Sequence, residues 1–383
     1  MWSRREFLKD LVGVTSDVFF VGCALGNTPA RAQQPAAGKR RRVTVGGHRI
    51  LTVDIHSHCY IAIDDLLAEI PGSNSSIVSR GSSQTPILNP TNLESRLQQM
   101  DARGIDVQAI CITPSYNYGA DQDLARRIVG RQNEQIAKMC EAHPDRFVGL
   151  GAVALQHPDL AAEQMDHAVK NLGMRGVEID SSVNGDPLSA SKFDPFWAKA
   201  EELGILIFIH PASVVGAPPR FPGNGFLDNV IGHPLETTLA LSHLIFEGTL
   251  DRYPGVKICG AHGAGFLASY LGRSNHCAEV SEACKPIQKK KPSDYFKQQL
   301  YCDSIVFTAE GLRHLVAEVG ASHILLGTDF PYDIGFPHMG DSREVDSVLG
   351  VRGLSNADQS AILGNNAAKL LRIGSRQEFC GSR

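Results

Sequence analysis

The amino-acid sequence predicts an α/β protein folded as a (β/α)8 barrel, with a loop insertion after the first strand. Eight short apolar runs recur along the chain, and segments of helical periodicity separate them. Near-continuous apolar strands that alternate with amphipathic helices are typical of a parallel sheet covered by helices. Eight such units favour a closed barrel over an open sheet, and 383 residues exceed the roughly 250 that one barrel needs.

The strands and helices follow from simple residue patterns. The helix pattern is clearest in "NLESRLQQM", where Leu93, Leu97 and Met100 share one face, and in the apolar stripe of residues 309–319 before Gly320. Residues 72–90 and 211–235 are rich in Gly, Pro, Ser and Asn and predict two long loops. The predicted strands are 50–55, 107–112, 147–153, 176–179, 205–209, 256–259, 300–302 and 324–326.

Composition limits the class of partner. The chain is 43% hydrophobic and 20% charged, with a net charge of −4. The chain has no excess of basic residues that would suggest binding to nucleic acid, so a small molecule is the expected partner. The nine cysteines form no C-x-x-C pair, which predicts mostly free, buried thiols and no structural disulfide.

The first 32 residues resemble an export signal rather than part of the fold. "SRREFLK" carries an arginine pair, an apolar stretch follows it, and Ala30 and Ala32 stand as in an A-x-A cleavage site. This predicts a twin-arginine signal peptide over 1–32 and a periplasmic protein. The alternatives are a frayed amphipathic helix and a lipoprotein acylated at Cys23.

The remaining domain boundaries follow from composition. Residues 33–48 are expected to be a linker, in which Lys39–Arg42 form a solvated basic run. The barrel is predicted over 49–375, and 376–383 form a C-terminal tail.

Polar residues recur at the carboxyl ends of the predicted strands. Strand one ends in His56 and His58, strand five in His210, strand six in His262 and strand eight in Asp329. Side chains two apart on a strand share one face, and the strand ends of a barrel meet at one mouth. We therefore expect these five side chains to converge.

Three imidazoles and a carboxylate suit Zn²⁺, which prefers nitrogen and anionic oxygen ligands in tetrahedral geometry. Spacing alone does not decide which of the five residues bind metal and which act on a substrate. Six further histidines lack metal spacing and are expected to be structural or surface residues: His233, His243, His276, His314, His323 and His338.

The motifs "DIHSHCY", "IFIHPA", "AHGAG" and "LLGTDFP" resemble the amidohydrolase superfamily, and closely its aminocarboxymuconate-semialdehyde decarboxylase group. Further matches are "QQMDARGIDVQ", "HPDRFVGLGAV", "HPLETT" and "GNNAAKLL". The motifs extend over about residues 50–372 in the family's order, so the resemblance covers nearly all of the predicted mature chain.

The resemblance implies that His56, His58, His210 and Asp329 hold one divalent metal ion, with zinc the expected ion. His262 is implied as the catalytic acid/base beside it. The fourth strand ends in "GVEID", without the lysine that bridges two ions in binuclear relatives, so a mononuclear site is implied.

The resemblance also implies a carboxylic acid substrate and a homodimer. Arg273 matches an arginine that, in this family, reaches the neighbouring subunit's site and grips a substrate carboxylate. An arginine suits that task because its guanidinium can bind a carboxylate through two hydrogen bonds. Arg80, in the loop of residues 72–90, is the candidate for a second such arginine.

Some pocket positions depart from the decarboxylase pattern. Ala212 stands where the family has an aromatic residue. Glu178, Asp180 and Ser182 stand where it has neutral groups and a histidine.

The leading prediction is therefore a metal-dependent, non-oxidative decarboxylase of an aromatic or unsaturated carboxylic acid, with metal-bound water and His262 acting in proton transfer. The alternative is a hydrolase of a lactone, ester or amide that uses the same ligands. A third possibility, from another class, is a binding protein with no catalytic role.

Overall fold

Eight parallel strands form one sheet in a computed structural model that describes residues 40–69, 93–112, 115–212, 221, 225–284, 289–332 and 343–374. Each strand pairs with its neighbours in chain order. The strands are β1 (Val53–Cys59), β2 (Val107–Ile112), β3 (Phe147–Gly151), β4 (Gly176–Ile179), β5 (Leu206–Ile209), β6 (Lys257–Gly260), β7 (Leu300–Asp303) and β8 (Ile324–Leu325).

The sheet closes because its first and last strands are joined by backbone hydrogen bonds. Ile55 N donates to Leu326 O at 2.8 Å, and Asp329 N donates to His56 O at 2.9 Å. Ser57 forms a parallel bridge with Phe330. The predicted (β/α)8 barrel is confirmed, and all eight predicted strands overlap observed ones.

A buried carboxyl group stabilises the junction between β1 and the segment after β8, which we call the seam. Asp54, at the start of β1, accepts hydrogen bonds from the Thr328 hydroxyl at 2.7 Å, the Thr328 backbone N–H at 3.1 Å and the Gln108 amide at 2.9 Å. Burial raises the pKa of Asp54 to about 6, although these bonds favour its charged form. One side chain thus links β1 to the neighbouring β2 and to the segment after β8.

Arg96 extends the same network from outside the sheet. Its guanidinium, which is 1% exposed, donates to Gln108 Oε1 at 2.8 Å and to His58 O at 2.7 Å. It also lies 4.8 Å from the ring centroid of Phe330. A buried arginine needs such partners, because burial otherwise disfavours its charge.

The helices cover the outside of the barrel and separate it from solvent. The stripe predicted for residues 309–319 is observed, with Leu312, Leu315 and Val319 buried and the Thr308 side chain capping the helix. The helices are α1 (Asp64–Leu67), α2 (Leu93–Arg103), α3 (Gln122–Ala142), α4 (Pro158–Lys170), α5 (Asp194–Leu203), α6 (His233–Phe246), α7 (Thr249–Arg252), α8 (Leu271–Val280), α9 (Pro292–Phe296), α10 (Ala309–Val319), α11 (Arg343–Gly350), α12 (Asn356–Ser360) and α13 (Asn366–Leu370).

The expectation of a solvated basic run at Lys39–Arg42 is wrong for two of its arginines. Arg40 bonds to the buried Asp106 carboxylate at 2.7 Å, and Arg41 pairs with Asp346. A short hairpin follows, in which Thr44–Val45 pairs with His48–Arg49. For Arg40 the physical reason is the buried charge of Asp106, at the amino end of β2, which needs a cationic partner.

The prediction of no disulfide is also wrong. Cys277, in α8, is bonded to Cys284, seven residues later, with 5.7 Å between their Cα atoms. The remaining prediction about thiols holds for Cys59, Cys111, Cys259 and Cys302, which are free and buried, whereas free Cys140 is only partly buried.

The two predicted loops differ in outcome. The insertion of residues 72–90, with Arg80, lies outside the described residues. The second loop is shorter than predicted, because a π-helical turn at Asp228–Gly232 leads directly into α6. Among the helices that the structure describes, none is both long and apolar enough to span a membrane.

Candidate metal centre

Two histidines at the carboxyl end of β1 form one side of the site. His56 and His58 are both fully buried, and their ring centroids lie 5.0 Å apart. The pairing of β1 with β2 shifts register between Asp54 and Ser57, so this end of the strand is irregular. Both rings remain on the barrel side of the strand, as the two-residue spacing predicts.

The other two predicted ligands meet them there. Asp329 Oδ1 lies 3.2 Å from both His56 Nε2 and His58 Nε2, and these two nitrogens are 3.1 Å apart. The ring of His210 lies 4.8 Å from that of His56 and 4.9 Å from that of His58. The four residues can each offer one donor atom to a single ion, with all four atoms within 4.8 Å of one another.

Hydrogen bonds on the far side of each ring fix which nitrogens carry lone pairs. His56 Nδ1 donates to Asp303 Oδ2 at 2.7 Å, and His58 Nδ1 donates to the carbonyl oxygen of Ile112 at 3.0 Å. Both Nε2 atoms therefore face each other and Asp329, and each can offer a lone pair to a metal ion. Three such atoms this close need positive charge between them, which a proton on His56 or a bound cation supplies.

The spacing of these atoms fits a divalent ion. Tetrahedral bonds of about 2.0–2.1 Å place two donor atoms about 3.3 Å apart, close to the observed 3.1–3.2 Å. His210 Nδ1 is also buried and has no hydrogen-bond partner in the described part of the chain. The residues present thus fit a bound metal.

Electrostatics support the same conclusion. Burial opposes the anionic form of Asp329, yet the facing histidines hold its pKa well below the usual range. Burial lowers the pKa of His210 well below normal, so this imidazole is neutral, as a metal ligand must be. Burial also opposes protonation of His56, but Asp329 and Asp303 at its two ring nitrogens raise its pKa to about 10. The site is built to hold positive charge.

Asp303, at the end of β7, is a site residue that the sequence analysis missed. Its fully buried carboxylate accepts hydrogen bonds from the His56 ring, from His262 N at 2.9 Å and from Gly263 N at 2.8 Å. The signal was present, since a charged residue follows the apolar run "LYC" just as polar residues follow the other strands. Asp303 orients a ligand and the catalytic loop at once.

His262 occupies a strained turn directly after β6. Its backbone is left-handed (φ +56°), as are those of Gly263, Ala264 and Gly265. Such a conformation costs a non-glycine residue of order 1–3 kcal/mol, and the two hydrogen bonds to Asp303 help to hold it. His262 Nε2 lies 3.8 Å from Asp329 Oδ2, so the predicted acid/base residue adjoins the four ligands.

A cavity of about 490 Å³ opens beside His262. Its described wall is mainly apolar, with Phe266, Ile305, Val306 and Phe307 among the lining residues, and it also bears His233 and Asn229. His233, expected to be a structural or surface residue, therefore lines this cavity. The sequence could not show this, because the turn that carries His233 to the cavity lies in a segment predicted as loop.

A second group of potential ligands lies behind His58 but does not fit another ion. Cys111 Sγ and Glu178 Oε1 lie 3.4 Å and 3.9 Å from His58 Nδ1. That nitrogen already donates its proton to Ile112 O. Burial raises the pKa of Glu178 to about 8, which favours its neutral form at pH 7. The implied mononuclear site agrees with this arrangement.

Arg273 lies elsewhere in the single chain. It is an exposed residue of α8, in a helix with only Leu271 buried. No ion pair joins it to another of the described residues. One chain therefore brings His262 and the four ligands together, but not Arg273.

Three histidines and an aspartate meet at the mouth of a closed barrel, with the Asp303 carboxylate behind them and the His262 imidazole beside them. This arrangement is that of a metal-dependent barrel enzyme. Residues 53–373 match the family model described as amidohydrolase. The chain belongs to this family, as its motifs predicted.

Two similar proteins of known name are both decarboxylases. The chain is 31% identical over 280 residues to 2-amino-3-carboxymuconate-6-semialdehyde decarboxylase from Dictyostelium discoideum, covering 73% of this chain and 76% of the relative. It is 28% identical to gamma-resorcylate decarboxylase from Polaromonas sp., with coverage of 73% and 86%.

A solved structure is similar in fold and sequence. The 5-carboxyvanillate decarboxylase of Novosphingobium aromaticivorans, complexed with manganese and 4-hydroxy-3-methoxy-5-nitrobenzoic acid, superposes with a TM-score of 0.72 at 26% identity. The match covers 85% of this chain and 96% of that one.

Replacing Asp303 with asparagine should weaken metal binding. The neutral side chain holds the His56 ring and the His262 turn less firmly, and loss of such a supporting group costs about 10–100-fold in metal affinity or activity. Competition with a chromogenic chelator measures the affinity. Asp294→Asn, at a surface residue paired with Lys297, is the matched control. Equal affinity in wild type and Asp303→Asn would contradict the assigned role.

Proposed function

We propose that this protein catalyses the metal-dependent, non-oxidative decarboxylation of an aromatic or unsaturated carboxylic acid. The observation that carries the proposal is the convergence of three lone-pair donors, His56 Nε2, His58 Nε2 and Asp329 Oδ1, directly beside His262. The adjoining apolar cavity of about 490 Å³ is large enough for a molecule with one aromatic ring.

The relatives support the enzyme class predicted from the sequence. Both curated relatives and the solved structure are named decarboxylases, and the solved structure carries a divalent ion with an aromatic acid. This protein is accordingly a metal-dependent carboxy-lyase.

The reaction replaces a carboxylate with a proton. The bond between the substrate carbon and its carboxylate breaks, CO₂ leaves, and the electron pair that stays on carbon takes up a proton. His56, His58, His210 and Asp329 would hold a divalent ion, which would supply a Lewis acid for this reaction.

His262 is the group placed to handle the proton. Its side chain lines the cavity, and Nδ1 has no hydrogen-bond partner among the described residues. Asp329, 3.8 Å from Nε2, provides an anionic neighbour. Asp303 holds the backbone of His262 in place, so the imidazole can deliver a proton without a change in the loop.

Zinc is the ion that we propose, because three neutral imidazole nitrogens and one carboxylate match its preferred donors. Manganese, the ion in the solved relative, is the competitor. The same donor set accepts either ion, so metal analysis must decide between them.

We further propose a homodimer in which Arg273 reaches the site of the neighbouring subunit. Helix α8 supports this, because it leaves large apolar side chains uncovered at both ends: Tyr270, next to its start, is 56% exposed and Val280 is 62% exposed. A second copy covering this helix would bury them and bring an arginine to a substrate carboxylate.

Export to the periplasm through the twin-arginine signal is our proposal for location. The disulfide between Cys277 and Cys284 supports it, because disulfides persist in oxidising compartments and are rare in the cytosol.

Metal analysis combined with a substrate screen tests the reaction. Protein purified without added metal should contain one equivalent of a divalent ion, and His210→Ala should lose it. The metal-loaded enzyme should release CO₂ from a member of a panel of aromatic and unsaturated carboxylic acids. Two equivalents of metal, or turnover of lactones and amides without CO₂ release, would instead indicate a hydrolase.

Arg273→Ala should raise KM for the acid while metal content is unchanged, because a charged anchor for the carboxylate is lost. Mixing Arg273→Ala chains with His210→Ala chains should restore about a quarter of the sites, since half of randomly paired dimers have one complete site of two. Arg313→Ala, on the surface of α10, serves as a control. Wild-type kcat/KM in Arg273→Ala would reject the assignment.

Replacing Arg4 and Arg5 together with lysine should trap the protein in the cytoplasm, because twin-arginine export depends on that pair. Cell fractionation followed by thiol alkylation measures both location and oxidation. The trapped protein should carry reduced Cys277 and Cys284, whereas exported protein should carry the disulfide. Arg42→Lys is the control, and normal export of the double variant would exclude this signal.

A further inference from the structure

The cavity beside His262 has an unusual polar pair on an otherwise apolar wall. His233 and Asn229 lie among Val230, Pro234, Phe266, Ile305, Val306 and Phe307. Apart from His262, they are the polar side chains on the described part of this wall. A polar group beside apolar neighbours is costly unless it finds a hydrogen-bond partner.

His233 is held in a defined orientation. Its ring lies 6.1 Å from that of His262 with 29° between the planes, and 6.4 Å from that of His210. The Asn229 amide nitrogen lies 3.5 Å from His233 Nδ1, at the limit of a hydrogen bond. No other described residue bonds to the imidazole, so Nε2 is available to a bound molecule.

The backbone fixes how closely His233 approaches the catalytic turn. A side chain at Gly265 would place its Cβ 2.1 Å from the carbonyl oxygen of Pro234, so glycine permits the turn to lie directly on the start of α6. The Thr238 hydroxyl accepts a hydrogen bond from Phe266 N at 2.7 Å and donates one to Pro234 O at 2.7 Å. The start of α6, which carries His233, thus packs directly against the turn that follows His262.

We infer that His233, oriented by Asn229, is a specificity-determining residue that hydrogen-bonds a polar substituent of the substrate while the apolar wall takes its ring. The inference rests on the proposed function, because it assumes that a carboxylic acid enters this cavity. It adds a residue that distinguishes substrates bearing a hydroxyl or similar group from those without one.

Equilibrium binding tests the inference without turnover. Metal-loaded protein is titrated with 4-hydroxy-3-methoxy-5-nitrobenzoic acid and with 3-nitrobenzoic acid, which lacks the hydroxyl and methoxy groups. Wild type should prefer the first compound. His233→Phe keeps a ring against His262 but removes the hydrogen bond, and should lower this preference about tenfold or more, as expected when a polar group loses its partner.

Two further variants make the test specific. His233→Gln retains a hydrogen-bonding group and should recover part of the preference. His243→Phe changes a histidine of the same helix that pairs with Glu247 near its far end, and should leave the preference unchanged. Bound metal and circular dichroism are measured for each variant to confirm folding.

The outcomes separate this inference from the proposed function. If His233→Phe weakens both compounds equally, His233 merely supports His262 and the inference is overturned. It is also overturned if wild type binds neither compound or shows no preference. If the preference depends on His233 but no acid releases CO₂, the inference stands and the decarboxylase proposal fails.

Discussion

The site depends on the closure of the barrel between its first and last strands. His56 and His58 belong to β1, whereas Asp329 follows β8, 271 residues beyond His58 in a chain of 383. Backbone hydrogen bonds and the buried Asp54 carboxyl join these segments. Opening this seam would separate a carboxylate ligand from two of its histidines, so the stability of the fold and the geometry of the metal centre rest on the same contacts. Arg96 and Gln108 tie the seam to the second strand.

Much of the fold could be predicted because its signals are local. Strand β5 is an unbroken apolar run, β2 is interrupted only by Gln108, and helix α10 carries a complete stripe with a capping threonine. The predicted ligands His56, His58, His210 and Asp329 share a recognisable position at strand ends, and the structure brings them together. The resemblance separated them from His262, the predicted acid/base residue. The features that were missed depend on contacts between distant segments. The pairing of Arg40 with Asp106, the bond from Asp303 to His56 and the approach of His233 to His262 join residues far apart in sequence, and no periodicity encodes them. The Cys277–Cys284 disulfide lies on a surface helix, where spacing alone does not distinguish paired from free thiols.

The Asp303 carboxylate contacts both the group of predicted metal ligands and the turn of His262. Asp303 accepts a hydrogen bond from the His56 imidazole through one oxygen, and its two oxygens accept the backbone hydrogen bonds that hold the turn of His262. The positions of the predicted ligand His56 and of the His262 turn are therefore coupled through a single side chain. This coupling explains why a strained left-handed turn can be kept at His262, because the carboxylate that orients the His56 ring also stabilises the turn.

The packing of residues 40–49 has a practical consequence for the molecule. Arg40 and Arg49 bind Asp106, which precedes β2 at the amino end of the barrel, whereas the metal ligands and the cavity lie at the carboxyl ends of the strands. The hairpin of residues 44–49 thus lies on the face remote from the cavity. A surface tether attached at its exposed turn, residues 46–48, would leave the cavity free, which makes this hairpin the suitable point for immobilising the enzyme.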